Sequence, residues 1–118
     1  MSSTRTIEIT VQNSTGVDLS LNEHSLKHGK WLHNPDGTIG AGRSNTWKAG
    51  NREGALVGTT GKVVYAGGGG VFTIEFDHPY GSGKTVVGHS ATGHFSSKLE
   101  NDNLQHHHCS CTIEFYRQ

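Results

Sequence analysis

Strict alternation of apolar and polar residues is the feature that most constrains this chain. Ile7, Ile9 and Val11 alternate with Glu8, Thr10 and Gln12, and Val17, Leu19 and Leu21 flank Asp18 and Ser20. Phe72, Ile74 and Phe76 alternate with Thr73, Glu75 and Asp77, and Cys111, Ile113 and Phe115 with Thr112, Glu114 and Tyr116. A period of two puts every apolar side chain of a segment on one face of a strand. Nowhere do apolar residues recur at i, i+3, i+4 and i+7 over the length of a helix. The 118 residues include 17 glycines against 2 prolines and 1 methionine, which suits short strands and tight turns. A chain of this length forms one domain that buries roughly two thirds of its unfolded surface. The expectation is all-β: a single antiparallel β-sandwich over residues 1–118.

Turn chemistry divides the strands. Asn13-Ser14-Thr15-Gly16 reads as the turn of a hairpin joining the first two alternating runs, and it also fits the N-glycosylation pattern. A polar link with His24, His28 and Gly29 leads to Trp31, and Asn34-Pro35-Asp36-Gly37 is a turn. Thr46-Trp47-Lys48 and Lys62 to Ala66 read as short strands, and Gly67 to Gly70 as a flexible reversal. Asp77-His-Pro-Tyr-Gly-Ser-Gly-Lys-Thr85 follows a strand and belongs at a sheet rim. Residues 106–110 read as a polar loop entering the last strand. An exposed sheet edge would support a homo-oligomer.

Charge and composition exclude several functions. Ten basic and ten acidic residues leave a formal charge of zero, so no long-range field steers nucleic acid or an anionic membrane. No segment approaches the ~20 apolar residues of a spanning helix, and the first residues show no export signal. Cys109 and Cys111, the two cysteines, stand at i, i+2, a poor spacing for a mutual disulfide.

The chemical motifs are partial. Gly81-Ser82-Gly83-Lys84-Thr85 ends like a phosphate-binding loop, but His78 stands where the first glycine belongs and β-branched residues follow where a helix is required. His106, His107, His108, Cys109 and Cys111 are the metal-ligand candidates, since imidazole and thiolate suit zinc or copper. Alternation in a strand would split them between two faces, and no metal or cofactor is expected. No nucleophile elbow, no His-Glu-x-x-His and no paired carboxylates occur, so no enzyme is expected. Phe72, Phe76 and Phe115 belong to the core. Tyr80, in a glycine-rich loop, is placed to meet a ligand or a bilayer surface, and Trp31 and Trp47 fit either core or surface.

The ordered motifs resemble the aegerolysin family, above all the small component of bacterial binary insecticidal proteins. The likeness spans nearly the whole chain: Ile7 to Gly16 followed by Leu19-Ser-Leu21, Gly29-Lys30-Trp31, Gly58-Thr59-Thr60-Gly61, Phe76 to Ser82, and Gly88-His89-Ser90. It implies a β-sandwich that binds membrane lipids, sphingolipids in several members, and docks a larger pore-forming partner on a target membrane. It further implies synthesis in the cytoplasm and release without a conventional signal peptide. Tyr80 and Trp31 are the candidates for ring contact with a lipid, Lys84 for phosphate pairing, and Asp77 for loop bracing or amine contact. A carbohydrate-binding, lectin-like defence protein is the alternative. Only Tyr80 is aromatic in the rim loop, fewer than in fungal members, and Asn51 to Leu56 departs from related insecticidal proteins.

Overall fold

A computed structural model describes residues 4–118. Ten strands form two five-stranded sheets. The first sheet runs β3 (Lys30–His33), β5 (Ser44–Gly50), β1 (Thr6–Ser14), β10 (His108–Arg117), β9 (Phe95–Asn103). The second runs β4 (Thr38–Ile39), β2 (Leu19–His28), β6 (Thr59–Gly67), β7 (Gly70–His78), β8 (Val86–Ala91). The all-β sandwich expected from alternation is the fold observed. One ladder departs from the antiparallel rule: β1 and β10 pair in parallel, Ile7 opposite Cys109 and Val11 opposite Ile113. A parallel pair needs a long crossover, and here nearly the whole chain supplies it.

The alternating residues meet between the sheets. Ile7, Ile9, Val11, Cys109, Cys111, Ile113 and Phe115 of the first sheet are buried, as are Val63, Tyr65, Phe72, Ile74 and Phe76 of the second. The Phe72 ring lies 5.1 Å from Phe95 and 5.0 Å from Phe115, at tilted and edge-on angles that aromatic pairs favour. Trp47 is fully buried although its indole N–H finds no acceptor. The unpaired donor costs about 1–3 kcal/mol, whereas removing roughly 200 Å² of ring from water returns about 5 kcal/mol, so packing decides its place.

Three readings of the sequence need correction. The first two alternating runs are not a hairpin, because β1 and β2 lie in different sheets. Asn13, fully buried, turns the corner: its amide N–H groups reach the carbonyls of Val17, Ile39 and Gly40, while its Oδ1 accepts from the Thr15 N–H and hydroxyl. That burial also removes Asn13 as a glycan acceptor. The reversal at Gly67 to Gly70 is a two-residue hairpin with Gly68 (φ 58°) and Gly69 (φ 80°) both left-handed, a backbone that glycine alone adopts cheaply. Finally, the polar link around His24 is part of strand β2, and His108 to Ser110, read as loop, already belong to β10, where they pair with Thr6 to Glu8.

Candidate functional site at the loop end

Strand register gathers five chain segments at one end of the sandwich. Thr6 pairs with both Gly50 and His108, Lys30 pairs with Gly50, Thr59 pairs with His78, and Asp77 pairs with Val86. The head of β1 at Arg5, the bend at Gly29 and loops 51–58, 79–85 and 104–107 therefore share this end. The Asp77–Thr85 motif and the histidine run, 20 or more residues apart in the chain, become neighbours.

His78 joins them. It is buried, with Nδ1 2.6 Å from the Thr85 hydroxyl and Nε2 2.9 Å from the His107 carbonyl. A carbonyl only accepts, so Nε2 carries the proton and donates, and Nδ1 accepts from Thr85. Burial, with Arg5 and His107 adding to it, holds the imidazole below its ordinary value despite the opposing His107 carbonyl and Asp77. A lowered folded value contributes stability that is complete above about pH 6.5 and is lost as pH falls from there through the folded value. Thermal melts from pH 7.5 to 5 should show Tm falling more in the native protein than in a His78→Gln variant, which keeps one donor and one acceptor without titrating. Parallel decline in both proteins would remove His78 as the cause.

Gly58 lets the loops close. A Cβ there would sit 2.2 Å from the His78 carbonyl oxygen and 2.7 Å from the Tyr80 nitrogen, both backbone atoms that cannot yield without moving the rim loop. Just before it, an Arg52–Ala55 turn throws out Leu56 and Val57, which are 77% and 49% exposed. Val86, at the start of β8, is 60% exposed. Arg5, Lys27, Arg52 and Lys84 lie on the loops and strand ends of the same pole.

The expected site residues divide. Tyr80 lies on the rim loop with its ring under the Arg5 guanidinium, 4.2 Å from carbon to ring centroid. Lys84 is exposed on the same loop. Asp77 faces the outside of the second sheet, where its Oδ1 accepts a 3.0 Å hydrogen bond from Thr60. Trp31 turns inward and half closes the side of the sandwich, edge-on to Phe76 at 6.3 Å and tilted against His24 at 5.8 Å. Arg5, Leu56 and Val57 were not singled out from the sequence.

The histidine and cysteine run divides as alternation requires. Cys109 and Cys111 point into the core, where burial pushes their thiols up to about 11 and about 12. His106 and His107 sit in the exposed loop, and His108 Nδ1 meets the Thr6 hydroxyl at 2.8 Å. Among the described residues no three His, Cys, Asp or Glu side chains converge to hold a metal ion. His89 Nδ1 and Ser97 Oγ, 2.7 Å apart, bridge the two sheets across the open side between β8 and β9.

Besides a hollow of about 220 Å³ between the Gly29 bend and loop 51–58, two more adjoin this end. One, about 200 Å³, lies between loops 79–85 and 104–107 under Arg5. The other, about 480 Å³, is a shallow groove on the outer face of the second sheet, where Gly88 lies opposite Glu75 between Thr73, Asp77, Val86 and Ser90.

No family model matches the sequence, and no curated protein matches it. Solved structures match its fold over nearly the whole chain. The RahU protein, solved in complex with a TRIS molecule, superposes with a TM-score of 0.82 at 18% identity, covering 99% of this chain and 98% of its own. IP-1A from Alcaligenes faecalis gives 0.79 at 18% identity, covering 99% and 94%. The lipid binding protein Nakanori gives 0.77 at 16% identity, covering 98% and 71%. At these identities the likeness is one of fold, and the fold is the aegerolysin-like sandwich that the sequence motifs resemble.

Proposed function

We propose that this protein is a non-enzymatic membrane-lipid-binding module that docks through the loop end. The observation that carries this reading is the exposure of Leu56, Val57 and Val86 at one pole, whose loops and strand ends also carry Arg5, Lys27, Arg52 and Lys84. Exposed aliphatic side chains cost free energy in water and gain it at the acyl boundary, while the cations remain at headgroup level. The shared fold with a protein described as lipid binding supports it. Because the chain is neutral overall, short-range contacts rather than bulk attraction govern binding. The finer reading is a preference for sphingolipids and a role as the docking half of a two-component pore-forming or insecticidal system. In that system a larger partner perforates the membrane, and this chain is released from its producing cell to act at the target surface.

The test is co-sedimentation with liposomes differing only in headgroup: sphingomyelin, ceramide phosphoethanolamine, and phosphatidylcholine with and without sterol. Pelleting that favours one sphingolipid and resists salt supports the reading, and no pelleting with any composition removes it. The outer-face groove favours a second reading, a glycan site, because Glu75, Asp77, Thr73 and Ser90 offer sugar-binding groups. Glycan binding in the absence of lipid, lost in Glu75→Ala, would give that reading precedence.

A further inference from the structure

The 200 Å³ hollow under Arg5 has the chemistry of an anion site. Arg5, His106 and His107 line it together with Gly81 to Gly83, His78 and Thr85, and no aspartate or glutamate does. The guanidinium is held rather than free. Its central carbon lies over the Tyr80 ring, 4.2 Å from the centroid, one terminal nitrogen lies 3.4 Å from His107 Nε2, and its backbone is fixed by an Arg5 N–H bond to Asn51 Oδ1 of 2.9 Å. No carboxylate pairs with it among the described residues, where the one ion pair is Lys98 with Glu114. A guanidinium held in a hollow without a carboxylate partner leaves a positive charge and N–H donors for an anion to meet. Beside the larger effect of burial, the Arg5 charge also lowers the His78 value.

We propose that this hollow binds a phosphate group, with Arg5 supplying the planar fork that engages two phosphate oxygens and the Gly81–Gly83 N–H groups and His106 or His107 closing around the others. The glycines serve because the backbone itself must approach the ligand; Gly83 already packs 3.1 Å from the Pro79 ring by its would-be Cβ. A hollow of about 200 Å³ leaves room for a phosphate group. Lys84, exposed on the rim, is an outer partner at most, and Arg5 is the determinant. This deepens the lipid-docking reading by naming the group that is recognised, but the site itself stands on Arg5 and its neighbours whether the phosphate is lipid-borne or free.

The experiment has two arms. In the first, inorganic phosphate is titrated against the ¹⁵N-labelled protein. Amides of residues 5–6, 81–83 and 106–107 should shift together, with a Kd in the range of about 1–10 mM expected of a few charge-assisted bonds at an open site. Arg5→Lys should weaken this several-fold, since charge survives but the fork and the stacking do not, and Arg5→Ala should abolish it. No localised shifts in the folded protein, or shifts unchanged in Arg5→Ala, would overturn the site. In the second arm, vesicles of phosphatidylcholine with ceramide phosphoethanolamine are compared with vesicles carrying a neutral glycosylceramide in its place. Preference for the phosphorylated lipid that disappears in Arg5→Ala assigns the site to headgroups. Phosphate binding without that preference upholds the site and assigns it to soluble phosphate esters. Vesicle binding that persists in Arg5→Ala, with no phosphate shifts, leaves the docking reading standing and removes this one.

Discussion

Replacing Leu56 and Val57 together by aspartate is expected to weaken vesicle binding about 100-fold or more while leaving Tm within about 2 °C. Both side chains are exposed in the folded protein, at 77% and 49%, so they contribute little to the core. Each gains roughly 1.5 kcal/mol or more on leaving water for the acyl boundary, and about 3 kcal/mol together corresponds to a factor of about 100. The added carboxylates also have to be desolvated at the interface, which increases the loss. Liposome pelleting of the double variant against the native protein, with thermal melts of both, measures the two quantities. Unchanged pelleting would move the docking surface away from loop 51–58.

The second large effect is on stability. Asn13→Ala should cost about 3–5 kcal/mol and lower Tm by roughly 12–20 °C, read by thermal or denaturant unfolding. The side chain is 0% exposed and ties β1, the corner into the second sheet and the carbonyls of Ile39 and Gly40 into one network. Truncation removes the donor to the carbonyls of Val17, Ile39 and Gly40 and the acceptor of the Thr15 N–H and hydroxyl. Gly40 keeps the Arg43 N–H and the Thr15 hydroxyl keeps the Val17 carbonyl, and each group left unsatisfied where water cannot reach costs about 1–3 kcal/mol. Asn13→Asp separates shape from hydrogen bonding. Its carboxylate would face three carbonyls, so the variant should be weakest at neutral pH and recover partly in acid, where a protonated oxygen can donate again. Equal loss at all pH values would indicate that volume, not donor chemistry, holds the corner.

What the sequence made legible follows from how each strand is buried. β1, β7 and β10 have one face in the core and one outside, so Ile7 to Val11, Phe72 to Phe76 and Cys111 to Phe115 announce themselves. β9 does not, because Phe-Ser-Ser-Lys-Leu-Glu-Asn-Asp-Asn lies at a sheet edge and sends only Phe95 fully into the core. The far half of β2 passes beyond β4, which pairs only with Leu19 and Ser20, so its residues are polar and read as a link. The Asn13 corner looked like a hairpin because both have the same turn residues; what distinguishes them is the burial of one amide among carbonyls from residues 17, 39 and 40.

The site was legible in pieces. The Asp77–Thr85 motif and the histidine run each stood out, but their meeting depends on two ladders that set loops 79–85 and 104–107 side by side, and His78 bonds across that junction. Arg5 carries no local signal: it is a lone cation at the head of a strand, and its importance arises from stacking on Tyr80, 75 residues away. Leu56 and Val57 sat in a glycine-punctuated run that gave no sign of being thrown outward by the Arg52–Ala55 turn.

Docking through the loop end predicts which pole of the sandwich meets the bilayer. A single environment-sensitive fluorophore can be attached to Leu56→Cys or, at the opposite end, to Ala41→Cys. The native thiols of Cys109 and Cys111 are buried and held protonated, so labelling goes to the introduced cysteine. With vesicles of the composition that pellets the protein, the probe at 56 should brighten and shift to the blue while the probe at 41 stays in water. A response at 41 and none at 56, under conditions where the protein pellets, would contradict the account.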